Sequence, residues 1–242
     1  MNIEDWQLRT ELMLGKDKHE KLKKANVLVV GLGGVGAYAA ELICRAGVGK
    51  MTVIDGDTVD PTNRNRQLLA LKSTQGKSKA ELMGERLKDI NPALELTAIH
   101  EYLRDDRMKQ VLEENFDYVV DAIDTLSPKT YLLKICVERN LRIVSSMGSG
   151  AKSDPSKVQV TDIDKSYNCM LARAIRKRLH KMGIKKGIKV VFSTEEAAEG
   201  AVVGLEEGEL TNKRSLVGTI SYMPAIFGIY CASVVIRDLI SD

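Results

Sequence analysis

ANVLVVGLGGVGAYAAELICRAG, residues 25–47, is the stretch that decides the fold. A short run of β-branched and apolar residues leads into GLGGVG, and beyond the glycines Tyr38, Leu42 and Ile43 recur at helical spacing. The order is strand, glycine turn, helix. A second apolar run, MTVID at 51–55, returns to the sheet about 20 residues past the glycines, as a βαβ unit requires. GLGGVG satisfies G-x-G-x-x-G: Gly31 serves the tight turn, Gly33 and Gly34 let backbone N–H groups approach a phosphate, and Gly36 allows close helix packing. A glycine turn alone is weak evidence, but a strand before it and a helix after it point to a nucleotide.

Outward from this unit, the Lys-rich KSKAELMGERLKDINP reads as a helix stopped by Asn91-Pro92, and the alternation in LELTAIHEYL as a third strand. Residues 107–115 read as a short helix and FDYVVDAI as a buried fourth strand. SPKTYLLKICVERN is expected to be a helix with Ser127 as N-cap and Pro128 at its first position. LRIVSSMGSG supplies a fifth strand with a glycine-rich exit. Past residue 151, KVQVTDID and IKVVFST alternate like antiparallel strands around a helix, NCMLARAIRKRLHKMG, with Leu171, Ile175 and Leu179 on one face. The expected fold is a doubly wound, mostly parallel, Rossmann-like α/β sheet, extended by antiparallel strands and a C-terminal helix. One domain is expected over 1–242: a nucleotide-binding core at 1–150 and an extension at 151–242.

The 242 residues suffice for a large core, and 44% hydrophobic with 29% charged residues is a globular balance. A net charge of +3 does not by itself imply nucleic acid, so its distribution matters. From Lys165 to Lys189 there are nine Lys or Arg and no acid; from Glu195 to Glu209 there are six acids and no base. Cys44, Cys136, Cys169 and Cys231 form no CxxC pair, which argues against a zinc ribbon or a secreted disulfide framework and for a reducing, cytoplasmic setting. The opening MNIEDWQLRTELMLG carries acids and no signal-peptide core. Residues 216–236 hold no charge over 21 positions, yet Gly218, Thr219, Ser221, Pro224, Gly228 and Ser233 dilute them. A buried helix is expected there, without stable membrane insertion.

Asp55, at the end of the second strand, stands where a ribose hydroxyl pair would sit. Asn63, Arg64, Asn65 and Arg66 then favour ATP over a dinucleotide, because a triphosphate with a leaving pyrophosphate needs cations beyond the helix N-terminus. Arginine's planar fork suits that task, and Lys79 reaches the same phosphates as a point charge. Arg64, Lys72 and Lys77 read as surface bases. Asp124, in DAIDT, belongs to the carboxyl edge of the sheet, where a carboxylate holds Mg²⁺ against phosphates. Asp121 reads equally well as a structural acid. Arg173, Arg176, Lys177, Arg178, Lys181, Lys185 and Lys186 read either as a solvated helix face or as a track along an RNA backbone.

Seven ordered motifs now resemble a known superfamily: R-x-x-L-x-L-G (Arg9 to Gly15), GLGGVG, VIDGDTV, N-x-N-R-Q (Asn63 to Gln67), G-K-x-K-A (Gly76 to Ala80), INP (Ile90 to Pro92) and DAIDT. They are similar to the adenylating superfamily of ubiquitin-activating enzymes and their bacterial relatives in thiamine and molybdopterin synthesis, over the whole of the first 150 residues. The resemblance implies that Gly34 and Asp55 hold ATP, that Asn63, Arg66 and Lys79 contact its phosphates and that Asp124 binds Mg²⁺. It also implies that Arg9 reaches into the partner's site of a homodimer, and that a monovalent cation has a structural role. Branches that activate a ubiquitin-like sulfur carrier usually carry two zinc-binding CxxC pairs, so no zinc is expected here.

SMGSGAKSDPSKVQVTDI (Ser146 to Ile163) and VVFSTE (Val190 to Glu195) resemble instead the tRNA threonylcarbamoyladenosine dehydratase branch. That resemblance implies adenylation of the threonyl carboxylate, ring closure by the carbamoyl group, tRNA on the basic helix and a sulfur-transfer partner of the cysteine desulfurase type. The alternatives are an adenylyltransferase for a ubiquitin-like C-terminus, a non-catalytic tRNA-binding scaffold and an NAD-dependent oxidoreductase. Cys169 and Cys231 are expected to be structural rather than a thioester or sulfur relay, and Cys44 and Cys136 to be core.

Overall fold

The structure, a computed structural model, describes residues 5–204 and 215–241. Two short helices, α1 (Leu8–Leu14) and α2 (Lys16–Lys24), lead into β1 (Asn26–Val30). With β2 (Lys50–Ile54), β3 (Glu95–Ile99), β4 (Tyr118–Asp121) and β5 (Ile143–Ser146), β1 makes a parallel array in the order β3-β2-β1-β4-β5. All five residues of β1 are buried, as a central parallel strand covered on both faces must be. Its side chains alternate between two cores. Val27 and Val29 pack with α3 (Gly36–Arg45), α4 (Lys79–Ile90) and α8 (Tyr222–Ile240), whereas Leu28 and Val30 pack with α5 (Asp105–Val111), α6 (Leu126–Glu138) and α7 (Met170–Lys181).

The extension joins the same sheet. β6 (Val158–Asp162) runs antiparallel to β7 (Lys189–Ser193), as expected, but β7 itself runs parallel to β5. Its Val190–Ser193 are all buried because β7 lies between β5 and the edge strand β6, and two covered faces remove the alternation. Two helix starts also differ from expectation. α6 begins at Leu126 with Thr125 as N-cap, so Pro128 is its third residue, tolerated because first-turn N–H groups have no helical partner. α8 begins at Tyr222, and Ser215–Val217 form β9, antiparallel to β8 (Val202–Gly204), instead of a first helical turn.

Among the described residues α8 is long and apolar enough to cross a membrane; here Met223, Phe227, Cys231 and Val235 are buried in the core it shares with α3 and the sheet. Gly228 sets the closeness of this crossing. A Cβ there would lie 2.4 Å from the Val35 carbonyl oxygen and 2.9 Å from Tyr38 Cβ. Backbone cannot yield as a side-chain tip does, so Gly228→Ala is expected to cost about 2–3 kcal/mol, or roughly 4–12 °C in Tm. Thermal denaturation measures it, and an unchanged Tm would rule out this helix crossing.

Candidate nucleotide and substrate site

The glycine turn is locked to its neighbours on both sides. Gly31, at φ +90°, donates its N–H to the Ile54 carbonyl at 2.8 Å, and a Cβ on it would stand 2.7 Å from the Ala122 oxygen. Only glycine fits there. The turn thus rests on the loop after β4, two residues before Asp124, which is exposed. β4 ends at Asp121, so Asp124 lies in that loop rather than at the strand end assumed from the sequence. Gly33 and Gly34 sit against Gln67 and the Arg66 carbonyl, at 3.7 and 3.4 Å from their ideal Cβ positions. Gly36 opens α3 directly against Gly31, leaving no room for a side chain.

Asp55 is buried and turns back onto this turn, accepting the Leu32 N–H at 2.5 Å and the Asp57 N–H at 2.7 Å. Burial pushes its carboxyl above the ordinary range, against the two amides and the Lys79 charge, which pull it down. Lys79 is the first residue of α4 and is buried; its Nζ is 3.0 Å from Asp57 Oδ2. Tyr102 donates its hydroxyl to Asp57 Oδ1 at 2.6 Å, which pushes the phenol up to about 12. Asp57 lies within the VIDGDTV motif without a role assigned from the sequence, and Tyr102 had no signal there, because its contact with Asp57 closes across 45 residues.

Asn63, Arg64, Asn65 and Arg66 follow a capped turn. The Asp60 side chain accepts the Thr62 N–H, and Asn63 accepts the Asp60 N–H at 3.3 Å, which uses the acceptor end of its amide and leaves the donor end for an anion. Arg66 donates to the Thr62 carbonyl at 3.0 Å and to Asn65 Oδ1 at 2.8 Å, and Asn65 donates to the Thr219 carbonyl at 3.0 Å. The approach to α8 therefore borders the same turn, with Pro224 against Gly34.

Asp121 is the structural acid that the sequence left open. Its carboxylate is 2.8 Å from Lys129 Nζ, with both side chains fully buried, and it accepts from the Ser145 hydroxyl at 2.6 Å and the Ile123 N–H at 3.1 Å. Lys129 also donates to the Ile123 carbonyl at 3.0 Å, and so fixes the loop that carries Asp124.

Arg9 stands apart from this cluster. It is exposed on α1 and lines a groove of about 400 Å³ with Met13, Leu14, Leu42, Arg45 and Ile236. Leu42 and Arg45 lie at the far end of α3 from the glycine turn, roughly 10–14 Å along the helix axis. The basic residues divide in two. Arg173, Lys177 and Lys181 are exposed on α7, with Lys185 and Lys186 exposed just beyond it. Arg176 instead donates to the Ser166 carbonyl and hydroxyl, and Arg178 to the Ser127 hydroxyl at 2.8 Å.

Of the acidic 195–209 segment, Glu206, Glu207 and Glu209 lie outside the described residues. Glu195 accepts the Ser153 and Asp154 N–H groups at 3.0 and 2.9 Å; burial raises its carboxyl, but these bonds and Lys152 hold it below the usual range. Burial pushes the Cys44 thiol up to about 11 and those of Cys136 and Cys231 to about 12, so none of the three is an activated nucleophile. Cys169 Sγ accepts the Ala172 N–H at 3.5 Å, as the N-cap of α7.

The chain is 39% identical to the tRNA threonylcarbamoyladenosine dehydratase of Bacillus subtilis (strain 168), covering 97% of this chain and 94% of that protein. With the Escherichia coli (strain K12) dehydratase the identity is 34%, over 98% and 95%. The crystal structure of the E. coli dehydratase, TcdA, in complex with ATP superposes with a TM-score of 0.88 at 33% identity, over 99% of this chain and 97% of that one. The model of the ThiF family matches residues 5–242, taking in the parallel core, the β6–β7 extension and α8 alike, and the chain belongs to that family.

Proposed function

We propose that this chain is an ATP-dependent tRNA threonylcarbamoyladenosine dehydratase, which activates the threonyl carboxylate as an adenylate and closes it to the cyclic form. One observation carries the proposal: the likeness to the ATP-bound E. coli dehydratase extends over 99% of the chain, well beyond a shared nucleotide fold. A sulfur-carrier adenylyltransferase would need only the first 150 residues to look as they do. Sequence identity that continues through the β6–α7–β7 extension, at 39% over 97% of the chain, is what favours the dehydratase branch.

In the proposed reaction a carboxylate oxygen attacks the α-phosphorus of ATP and pyrophosphate leaves. The carbamoyl group then closes on the acyl carbon and expels AMP. Asp55 receives the ribose, and the turn at Gly31, Gly33, Gly34 and Gly36 lets the phosphates approach backbone N–H groups. Asn63 and Arg66, beside Gly34, meet the phosphate charge, and Lys79 joins them by turning from Asp57. Mg²⁺ fits Asp124: this ion keeps most of its waters and needs one or two carboxylates beside phosphate oxygens, and an exposed acid next to the turn offers that. When bound, it neutralises phosphate charge. Ring closure is intramolecular, so orientation supplies most of what it requires.

Arg9 acts in the second site of a homodimer, since it lies too far along α3 to serve its own turn. Exposed Leu8, Leu12 and Met13 on the same helix offer an apolar contact for the partner copy. tRNA lies along Arg173, Lys177, Lys181, Lys185 and Lys186; Arg176 and Arg178 support the helix from within.

Mass spectrometry of nucleosides, after incubating the protein with ATP, Mg²⁺ and threonylcarbamoylated tRNA, tests the proposal. An ATP-dependent loss of one water from the modified adenosine is expected, with AMP and pyrophosphate released. Unchanged tRNA, with pyrophosphate exchange driven instead by a protein ending in Gly-Gly, would establish the adenylyltransferase.

A further inference from the structure

The segment between β6 and α7 sets an aromatic ring at the carboxyl edge of the sheet. Tyr167 is 51% exposed, yet its ring is seated edge-to-face on Phe192, with centroids 5.5 Å apart. Phe192 is buried and next to last in β7, so the tyrosine is braced by a strand end rather than carried on a free loop. Met170, 74% exposed, stands three residues on. From there Arg173, Lys177 and Lys181 make an exposed ridge at successive i,i+4 positions, about 6 Å apart along the helix. Lys165 to Lys189 contain no acid to oppose them.

A solitary exposed tyrosine needs no explanation. A braced ring that continues into an acid-free basic ridge, at the edge of the sheet where the nucleotide turn lies, has the chemistry of a single-stranded nucleic-acid track: an aromatic surface for a base and spaced cations for the phosphates that follow. The contacts lead to the site. An ideal Cβ on Gly148 lies 3.6 Å from Cys169 Sγ, and one on Gly150 lies 2.6 Å from Val217 Cγ1 and 3.2 Å from Thr219 Oγ1. Thr219 in turn accepts from Asn65, next to Arg66. β7 is three strands from β1, roughly 15 Å across the sheet. That distance suits a base neighbouring the one whose side chain reacts.

We propose that Tyr167 is the stacking platform for an unpaired base next to the modified adenosine, with Arg173, Lys177 and Lys181 following the phosphates. This deepens the dehydratase proposal and rests on it. A duplex would not use such a platform, because its bases are already stacked.

Fluorescence anisotropy with threonylcarbamoylated tRNA, over a salt series, tests it on Tyr167→Ala, Tyr167→Leu and Tyr167→Trp. The Ala and Leu variants are expected to bind about tenfold more weakly, and Trp to bind like wild type within about twofold. The salt slope should stay unchanged in all three, whereas a combined Arg173→Ala, Lys177→Ala, Lys181→Ala variant should lower it by about 2–3. In turnover, KM for tRNA rises in the Ala and Leu variants and KM for ATP does not.

Wild-type binding by Tyr167→Ala overturns the proposal. So does full retention by Tyr167→Leu, since leucine preserves apolar packing on Phe192 but not stacking. Equal loss of binding by Tyr167→Ala to phosphatidylglycerol vesicles would identify a membrane surface instead and also overturn it. If the wild type binds tRNA with the expected Tyr167 dependence but removes no water, the dehydratase proposal fails and the platform stands.

Discussion

Arg66→Ala lowers kcat for ATP-dependent dehydration by about 1,000-fold, close to 4 kcal/mol of barrier, while Tm stays within about 2 °C of wild type. The two halves of this expectation have separate grounds. The loss follows from the charge that gathers on the departing pyrophosphate, which a guanidinium placed beforehand offsets without reorganisation. The unchanged stability follows from where the guanidinium rests: its bonds, at 3.0 and 2.8 Å, go to Thr62 and Asn65 of its own exposed turn, not to the core. Lys79 is a poorer probe, because it is buried and paired with Asp57, so its removal also perturbs the packing and charge balance at the start of α4. Arg66→Lys keeps the charge and loses the fork, and is expected to recover part of the rate. Steady-state kinetics with saturating ATP and modified tRNA measures both variants. Activity of Arg66→Ala within threefold of wild type would place the triphosphate elsewhere.

What the sequence made legible follows from the range of each interaction. The glycine turn and the 63–66 turn carry local marks, the glycines themselves and the Asp60–Asn63 cap, so both turns were legible from neighbouring residues even though Asp55 and Leu32 meet across 23 positions. The parallel core was legible because short apolar runs separated by helical segments admit few topologies. β7 was misjudged since a five-residue strand carries too little pattern to tell one buried face from two. The Lys79–Asp57–Tyr102 contacts and the Asp121–Lys129 pair were hidden for another reason. A lysine in SPKTYLLK reads as a helix surface, and only the close approach of α6 to β4 and β5 makes it core. Arg176 and Arg178 illustrate the same limit: composition counted them with the exposed bases, while the fold turns them toward Ser166 and Ser127.

Lys129→Met is expected to cost about 3–5 kcal/mol, which for a chain of this size lowers Tm by roughly 6–20 °C. Methionine fills similar volume, so the loss reports charge rather than a cavity. Removing the ammonium leaves the Asp121 carboxylate fully buried with the Ser145 hydroxyl and the Ile123 N–H as its hydrogen-bond donors among the described residues. Two bonds do not replace an ion at 2.8 Å where both side chains are fully buried. Asp121→Asn with Lys129→Met removes both charges and is expected to be more stable than Lys129→Met alone, because an uncompensated buried ion costs more than the pair contributes. Urea titration of Asp121→Asn, Lys129→Met and the double variant measures the coupling; additive losses would mean that the two side chains do not share their charge. Activity separates a second consequence. Lys129 Nζ also holds the Ile123 carbonyl at 3.0 Å, one residue before Asp124, so the double variant, even where stability returns, leaves the acid proposed for Mg²⁺ on a loop that has lost one of its bonds. The loop keeps its Ala122–Val30 bond and loses the Lys129 anchor alone, so the Mg²⁺ requirement should rise modestly while affinity for tRNA does not change, an outcome that a purely structural pair would not produce.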